Sequence, residues 1–184
     1  MATIFSHPLV PLAVGLGLGR ATVPGPLLRL GVFLSILPDI DVISFRLGIP
    51  YASPFGHRGF THSLVVAAAV AVFCGLFHRR LRASRLAVLV FAWFAMASHP
   101  LLDALTDGGL GVALFWPFSA QRYFLPWPVI AVSPIGVSFF SARGWAVLQS
   151  EILSVGLPSL LLGVGCWSVR KAVHALARRP PGMG

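Results

Sequence analysis

Charge is what this sequence has least of. Only 10% of its 184 residues are Asp, Glu, Lys or Arg, and five of those are acidic. A soluble globular domain carries about 25% charged residues, so the composition excludes that class. With 57% hydrophobic residues and a mean hydropathy of +0.85, it points to a bilayer instead. Cysteine is nearly missing too. Cys74 and Cys166 each stand inside an apolar run, which excludes a disulfide framework or a thiolate metal site and reads as two small, inert core residues. No charged n-region with a small-residue cleavage site precedes the first apolar run, so no removable signal peptide is expected. The net charge of +9 comes without a basic stripe or interleaved stacking aromatics, and direct binding of nucleic acid is therefore not expected.

What is present is a series of apolar runs, at 8–19, 27–37, 64–77, 86–102 and 152–169. The last two approach the ~20 residues that cross a bilayer. Ten of the fourteen basic residues fall in three places: Arg20 with Arg29; Arg79, Arg80, Arg82 and Arg85; and Arg170, Lys171, Arg178 and Arg179. Cytoplasmic loops collect Lys and Arg, so these three places are expected inside. Five crossings follow, with helices starting or ending at about His7, Pro38, Thr61, Thr106 and Glu151, the N-terminus outside and the C-terminus cytoplasmic.

The expected fold class is thus all-α, a polytopic membrane protein of about five transmembrane helices. One integral domain would cover 1–176 and a short basic, Pro- and Gly-containing tail 177–184. The text FWPFSAQRYFLPWPVIAVSPIGVSFF within 108–150 reads as an interfacial or re-entrant segment. The first two helices hold only about a dozen apolar residues each, which predicts a shallow cavity over their outer ends. GLGLG at 15–19 follows no strand, so it is expected to permit close helix packing and not to bind a dinucleotide.

By this topology all five acids, Asp39, Asp41, Asp103, Asp107 and Glu151, fall at outer helix ends together with His7, His57, His62 and His99. His78 and His174 fall in the basic regions. Ionisable groups near membrane depth are costly and mark function. In SHPLLDALTD, His99 and Asp103 are four residues apart, so a helix projects both from one face, with Cβ atoms about 6 Å apart. That suits two ligands of one metal. In LPDID, the spacing of Asp39 and Asp41 after Pro38 splays them, so that one binds metal while the other orients a histidine. In GHRGFTHS, Thr61 is expected to cap the third helix, with His62 in its first turn. His57 would lie on the preceding loop, and Gly56 and Gly59 would let that loop approach the site closely.

His7 reads as a further ligand or as a cap of the first helix. Glu151 reads equally as a ligand or as a helix N-terminal charge, and Asp107, before two glycines, as the closure of a turn. Candidate metal ligands are therefore His7, Asp39, Asp41, His57, His62, His99, Asp103 and Glu151. Asp41, Arg58 and Arg122 are candidate catalytic residues: the aspartate would accept a proton, and the arginines would clamp a phosphate, pair with buried aspartates or anchor at the interface.

Neutral imidazole combined with carboxylate suits Zn²⁺, with Mn²⁺ or Fe²⁺ as alternatives, and the count allows one to three ions. A divalent ion with an exchangeable water lowers that water's pKa to about 7. The expected function is hydrolysis of an ester or phosphoester, with a lipid-derived substrate suggested by headgroup depth. Two rivals are a metal or proton transporter, which would need polar stations toward the cytoplasmic half, and a noncatalytic scaffold stapled by a structural metal, which would not need surplus ligands.

Taken together, LPDID, GHRGFTHS, SHPLLDALT and GVALFWPFSAQRYFLPW behind an N-terminal histidine resemble the membrane-bound metal-dependent hydrolases of the YdjM type, described as LexA-binding and inner-membrane-associated. The match runs from about His7 to Trp127, with Glu151 outside it. The resemblance implies a bacterial inner (plasma) membrane protein, metal-dependent hydrolysis, and a LexA-type repressor as partner at a cytoplasmic surface such as the 78–85 loop or the tail. It supplies no substrate. More distantly, the order His7, Asp39, His62, His99 with Asp103 is similar to the ligand order of zinc-dependent phospholipase C and its nuclease relatives, which implies phosphoester chemistry and more than one zinc. Their later histidine ligands have no counterpart here, because the only histidine beyond Asp103 is His174.

Overall fold

Serine and proline set where the helices begin. Pro26 stands in the first turn of α2 (Gly25–Ile36), where its missing N–H costs nothing. Ser63, Ser84 and Ser141 accept backbone N–H groups at the starts of α4 (Leu64–Gly75), α5 (Arg85–Ala104) and α6 (Ala142–Glu151). The remaining helices are α1 (Leu9–Leu18), the single turn α3 (Ile43–Arg46) and α7 (Leu157–Ala177). This computed structural model describes residues 2–134 and 136–177, and among the described residues every regular element is helical and no strand forms. Of the tail expected over 177–184, residues 178 onward lie outside the described residues.

Two boundaries differ from those the sequence suggests. Thr61 does not cap α4, because its hydroxyl is spent on Asp41 and residues Phe60–His62 form a 3₁₀ turn of their own; Ser63 takes the cap. The last helix begins at Ala142 and not near Glu151. Arg143, Gln149 and Ser150 lower the local hydropathy without opposing helix, and a π turn over Ile152–Gly156 joins α6 to α7 as one helix, Ala142–Ala177.

α5 packs against α4 and α2, while α1 lies along α7 and against α2. Val14, Leu27, Leu34, Ala71, Val88 and Phe91 meet in the core between them. Both cysteines are free, Cys74 buried within this core and Cys166 partly buried against it. The GLGLG stretch permits close approach: a Cβ on Gly17 would stand 2.3 Å from the Gly163 carbonyl oxygen of α7, and one on Gly15 2.5 Å from Leu28.

Two helices are long and apolar enough to cross a membrane, α5 with 20 residues and Ala142–Ala177 with 36. α1, α2 and α4, at 10, 12 and 12 residues, fall short of the ~20 that a full span needs. Along α7, Leu157, Leu160, Leu161, Val164, Trp167, Val169, Val173 and Leu176 all remain exposed. A continuous apolar face of this kind is unfavourable in water and suits hydrocarbon.

The chain directions sort the ionisable residues. α1 leads from His7 toward Arg20, α2 from near Arg20 toward Asp39, α4 from His62 toward the 78–85 basic loop, and α5 from Arg85 to His99 and Asp103. His7, His57, His62, His99 and the aspartates therefore collect at one end of the bundle, together with Arg58 and Arg122, and the basic groups around Arg20, Arg80 and Arg170 at the other. Residues 105–134 cover the first end without regular structure. They are pinned there by backbone hydrogen bonds from Leu125 to Ala104, Ile130 to Leu105, Ala113 to Arg58 and Leu64 to Leu114.

Candidate metal centre

A 3₁₀ turn over Leu37–Val42 continues directly from α2 and carries both aspartates of LPDID, buried on different sides of the turn. Asp39 faces His62 and His99. Asp41 faces His57, His62 and Thr61. The helical spacing of His99 and Asp103 brings both from α5 to the same point, which His62 reaches from its turn before α4.

There the Nε2 atoms of His62 and His99 stand 3.1 Å apart. Asp39 Oδ1 is 3.4 Å from His99 Nε2 and 3.8 Å from His62 Nε2, and Asp103 Oδ2 is 3.9 and 3.5 Å from the same two atoms. Four tetrahedral ligands at 2.0–2.1 Å from one zinc ion are separated by roughly 3.3 Å. The observed separations bracket that value, and all four residues are buried.

The outward nitrogens fix the tautomers. His99 Nδ1 lies 2.7 Å from the Ser35 carbonyl oxygen, which only accepts, so Nδ1 carries the proton and Nε2 offers a lone pair. His62 Nδ1 lies 3.1 Å from Asp41 Oδ2 and donates to it. Two lone pairs thus meet beside two carboxylates, and only a cation or a proton reconciles them. Both oxygens of Asp39 are buried without a hydrogen-bond donor, a state that is costly for a carboxylate unless a positive charge is added, while Oδ2 of Asp103 has the Arg58 guanidinium 3.1 Å away. The cluster is one that could hold a metal ion.

Asp41 organises the surroundings. Its Oδ1 is 2.6 Å from His57 Nδ1, and its Oδ2 accepts from the Arg58 amide at 3.1 Å, from the Thr61 hydroxyl and from His62. Asp39, Asp41 and His57 form a second trio of nearby donors, but the His57–Asp41 distance is that of a hydrogen bond between them. Support of a ligating histidine by a carboxylate is the usual second layer of a metal centre. His7 stacks on His99, ring centroids 3.7 Å apart, with its Nε2 3.7 Å from Asp103 Oδ1 and both nitrogens without partners.

Other candidates stand elsewhere. Glu151 does not join the cluster; it accepts from the amide and hydroxyl of Thr3 and so clasps the N-terminal segment to the Ala142–Ala177 helix. Arg122 donates to the carbonyls of Tyr51, Ser53, His57 and Gly111 and serves as a cross-brace of the covering loops. Arg58 is fully buried, its Nε 3.1 Å from Asp103 Oδ2 and its other nitrogens on Gly108 O and Thr106 Oγ1. Of the employments open to the arginines, Arg58 takes ion pairing. Gly56 and Gly59 serve a neighbouring turn and not the site: a Cβ on either would strike a carbonyl oxygen of Pro50 or Pro54. Asp107 accepts from the Val132 amide and closes its turn.

Three participants were not legible in the motifs. The Ser35 carbonyl has no side-chain signature, and the Ala2 amide reaches Asp103 Oδ1 at 2.8 Å across 101 positions. Thr61 had a signal, its place in FTHS, but one that equally suits a cap.

Burial opposes charge on His62, yet its hydrogen bonds to Asp103 and Asp41 overcome this and raise its pKa from 6.5 to about 9. His7 moves the other way, lowered to about 3 by burial and by neighbouring His99. Burial alone would raise the carboxyl of Asp41, but the hydrogen bonds of His57 and His62 outweigh it and hold the group below its ordinary range. Without a metal, the proton on His62 is the positive charge that the cluster requires.

The family model described as YdjM inner membrane protein matches residues 1–174. The inner membrane protein YbcI of Escherichia coli (strain K12) is 44% identical over 173 residues, covering 93% of this chain and 100% of that protein. The inner membrane protein YdjM of the same organism is 39% identical over 108 residues, 52% of this chain and 50% of that protein, and YdjM of Shigella flexneri matches to the same extent. No solved structure matches.

Proposed function

The chain belongs to the YdjM family of inner membrane proteins, and from that premise we propose that it is a metal-dependent hydrolase of an ester or phosphoester. The observation that carries the reading is the convergence of His62, His99, Asp39 and Asp103 on one point, with imidazole lone pairs and the unpaired oxygens of Asp39 among them. Of these, His62, His99 and Asp103 would hold the ion and leave its fourth position to water, with Asp39 beside it; two imidazoles and a carboxylate suit Zn²⁺ best. When bound, such an ion supplies Lewis acidity toward the ester and a water acidified to near neutral pH.

The protein's own residues do the rest. Asp41 fixes His62 through Nδ1, and the Ser35 carbonyl fixes His99, so neither ring turns away. Arg58 pairs with Asp103 at Oδ2 and fixes its carboxylate. Asp39, with both oxygens free of protein donors, is the carboxylate placed to accept a proton from a nucleophilic water.

Hydrolysis is favoured over transport by the interior of the bundle. Beyond the cluster toward the basic end, the buried positions of α1, α2, α4 and α5 include Val14, Leu27, Ala71, Val88 and Phe91, which offer no relay for an ion or proton. The distribution of Lys and Arg supports a site toward the outer side and a cytoplasmic C-terminus. Ala52→Cys and Arg80→Cys test that orientation: the first should react with an impermeant thiol reagent from outside and the second only from inside, and the reverse labelling would invert the topology.

The decisive experiment is elemental analysis of the purified protein beside His99→Ala and Asp103→Ala, followed by ester and phosphodiester assays. Stoichiometric metal, lost in both variants together with hydrolysis, is expected. A folded wild type that takes up no zinc or manganese overturns the reading.

A further inference from the structure

Among the four central residues, His62, His99 and Asp103 have no exposed surface, and only Asp39 reaches the outside, with 8% of its surface accessible. What Asp39 opens into is a cavity of about 360 Å³ between the N-terminal segment and residues 133–140. Its walls are Phe5, Val42, Phe139 and Phe140, with Thr3 and Ser133 beside them. The polar groups there are already engaged, since the Thr3 hydroxyl donates to Glu151 and the Ser133 hydroxyl to the Pro134 carbonyl. Among the described residues, no lysine or arginine lines the space. At its mouth Phe5 and Phe140 remain exposed, as does Ile40 beside Asp39.

Such a passage is lined chiefly by apolar side chains, and Asp39 forms part of its base with its two carboxylate oxygens buried just behind the wall. A fully polar molecule entering it would lose hydration with nothing to replace it. A hydrocarbon chain gains, by roughly fourfold in affinity per buried methylene. The volume sits at the low end of ligand pockets, about 300–1,000 Å³, which suits one chain and not two. Resting on the hydrolase reading, we infer that this cavity is the substrate passage and receives the single hydrocarbon chain of an amphiphile whose ester group comes to lie at Asp39. Hydrolysis there would add water across the ester bond, its hydroxyl going to the acyl or phosphoryl group and its proton to the leaving alcohol. The chain would enter laterally from the lipid phase.

The test uses zinc-loaded, full-length protein in nanodiscs and two chelating probes, acetohydroxamate and octanohydroxamate, with binding measured calorimetrically. Wild type should bind the octyl probe at least 100-fold more tightly than the acetyl probe. Val42→Trp, which fills the cavity, and Phe139→Ala, which removes a wall, should each cut that ratio below tenfold while leaving acetohydroxamate binding within about threefold. Partition of the probe into lipid is common to all three proteins and cancels. Acetohydroxamate binding with no chain-length gain, or a gain unchanged in both variants, overturns the passage while leaving the metal centre standing. Failure to retain zinc at all overturns the hydrolase reading instead. The passage then rests on a second measurement, photo-crosslinking by a diazirine-bearing decyl ester. Adducts on the segments holding Phe5, Val42 and Phe139, protected by excess octanohydroxamate in zinc-loaded protein and by excess decanol in zinc-free protein, are expected; adducts only on the exposed face of α7 overturn the passage irrespective of metal.

Discussion

The Nε2 atoms of His62 and His99 face each other at 3.1 Å while both Nδ1 atoms are committed, one to Asp41 and the other to the Ser35 carbonyl. Neither ring turns to relieve the opposition without breaking a buried hydrogen bond. A shared cation, or the proton on His62 in its place, satisfies both.

Replacing either histidine should therefore remove one of the converging ligands. His62→Ala and His99→Ala are each expected to weaken zinc binding at least 100-fold, read by competition with a chromogenic chelator. Helix content by circular dichroism should stay near that of wild type, because the helices are held by the apolar core.

Zinc binding should depend on pH in a set direction. His62 of the metal-free protein keeps its proton up to about pH 9, and the metal must displace it. Affinity is expected to rise with pH to about 9 and then level, with close to one proton released per ion at pH 7.5 in calorimetry across buffers of different ionisation enthalpy.

The same shift acts on the stability of the metal-free protein. Because the folded-state pKa of His62 lies above the unfolded value of 6.5, its contribution is fully present below pH 6.5 and is lost as pH rises through 9. His7, lowered to about 3, has the opposite effect: the folded state loses stability as pH falls from 6.5 toward 3. Metal-free protein should show its highest Tm between these two windows, and added zinc should flatten the alkaline decline.

Asp41→Asn keeps the shape but removes the charge that orients His57 and His62. Loss of a carboxylate behind a ligating histidine typically costs 10- to 100-fold in metal affinity, and that range is expected here. Wild-type affinity in this variant would show that Asp41 does not support the site.

Arg58 is fully buried against Asp103 and adopts a left-handed backbone with φ of +60°. Arg58→Met would leave Asp103 without its partner, a change that costs about 3–5 kcal/mol when a buried pair is broken. A marked drop in Tm for the metal-free protein is expected, with partial recovery on adding zinc, since the ion supplies the charge that the guanidinium provided.

Much of the chemistry was readable because it is local. The four-residue spacing of His99 and Asp103 is fixed by helix geometry, and the splay of Asp39 and Asp41 sends one toward the histidine pair and the other to the hydrogen bonds behind it. Thr61 and Ser63 were harder to separate: either hydroxyl could cap α4, and only the position of Asp41 assigns the task to Ser63.

Composition and spacing by themselves determined the apolar helical character of the chain, the inert placement of Cys74 and Cys166, and the separation of the aspartates, His7, His62 and His99 from the three basic clusters. These follow from solvation cost and helical period, which act along the chain. Tertiary structure alone decided which oxygen meets which nitrogen: that Arg58 pairs with Asp103, that Arg122 braces loops, that Glu151 binds Thr3 at a separation of 148 positions, and that Asp39 is the one member of the cluster to touch an opening. A hydrogen bond depends on distances of tenths of an ångström between groups far apart in sequence, and no local periodicity carries that information.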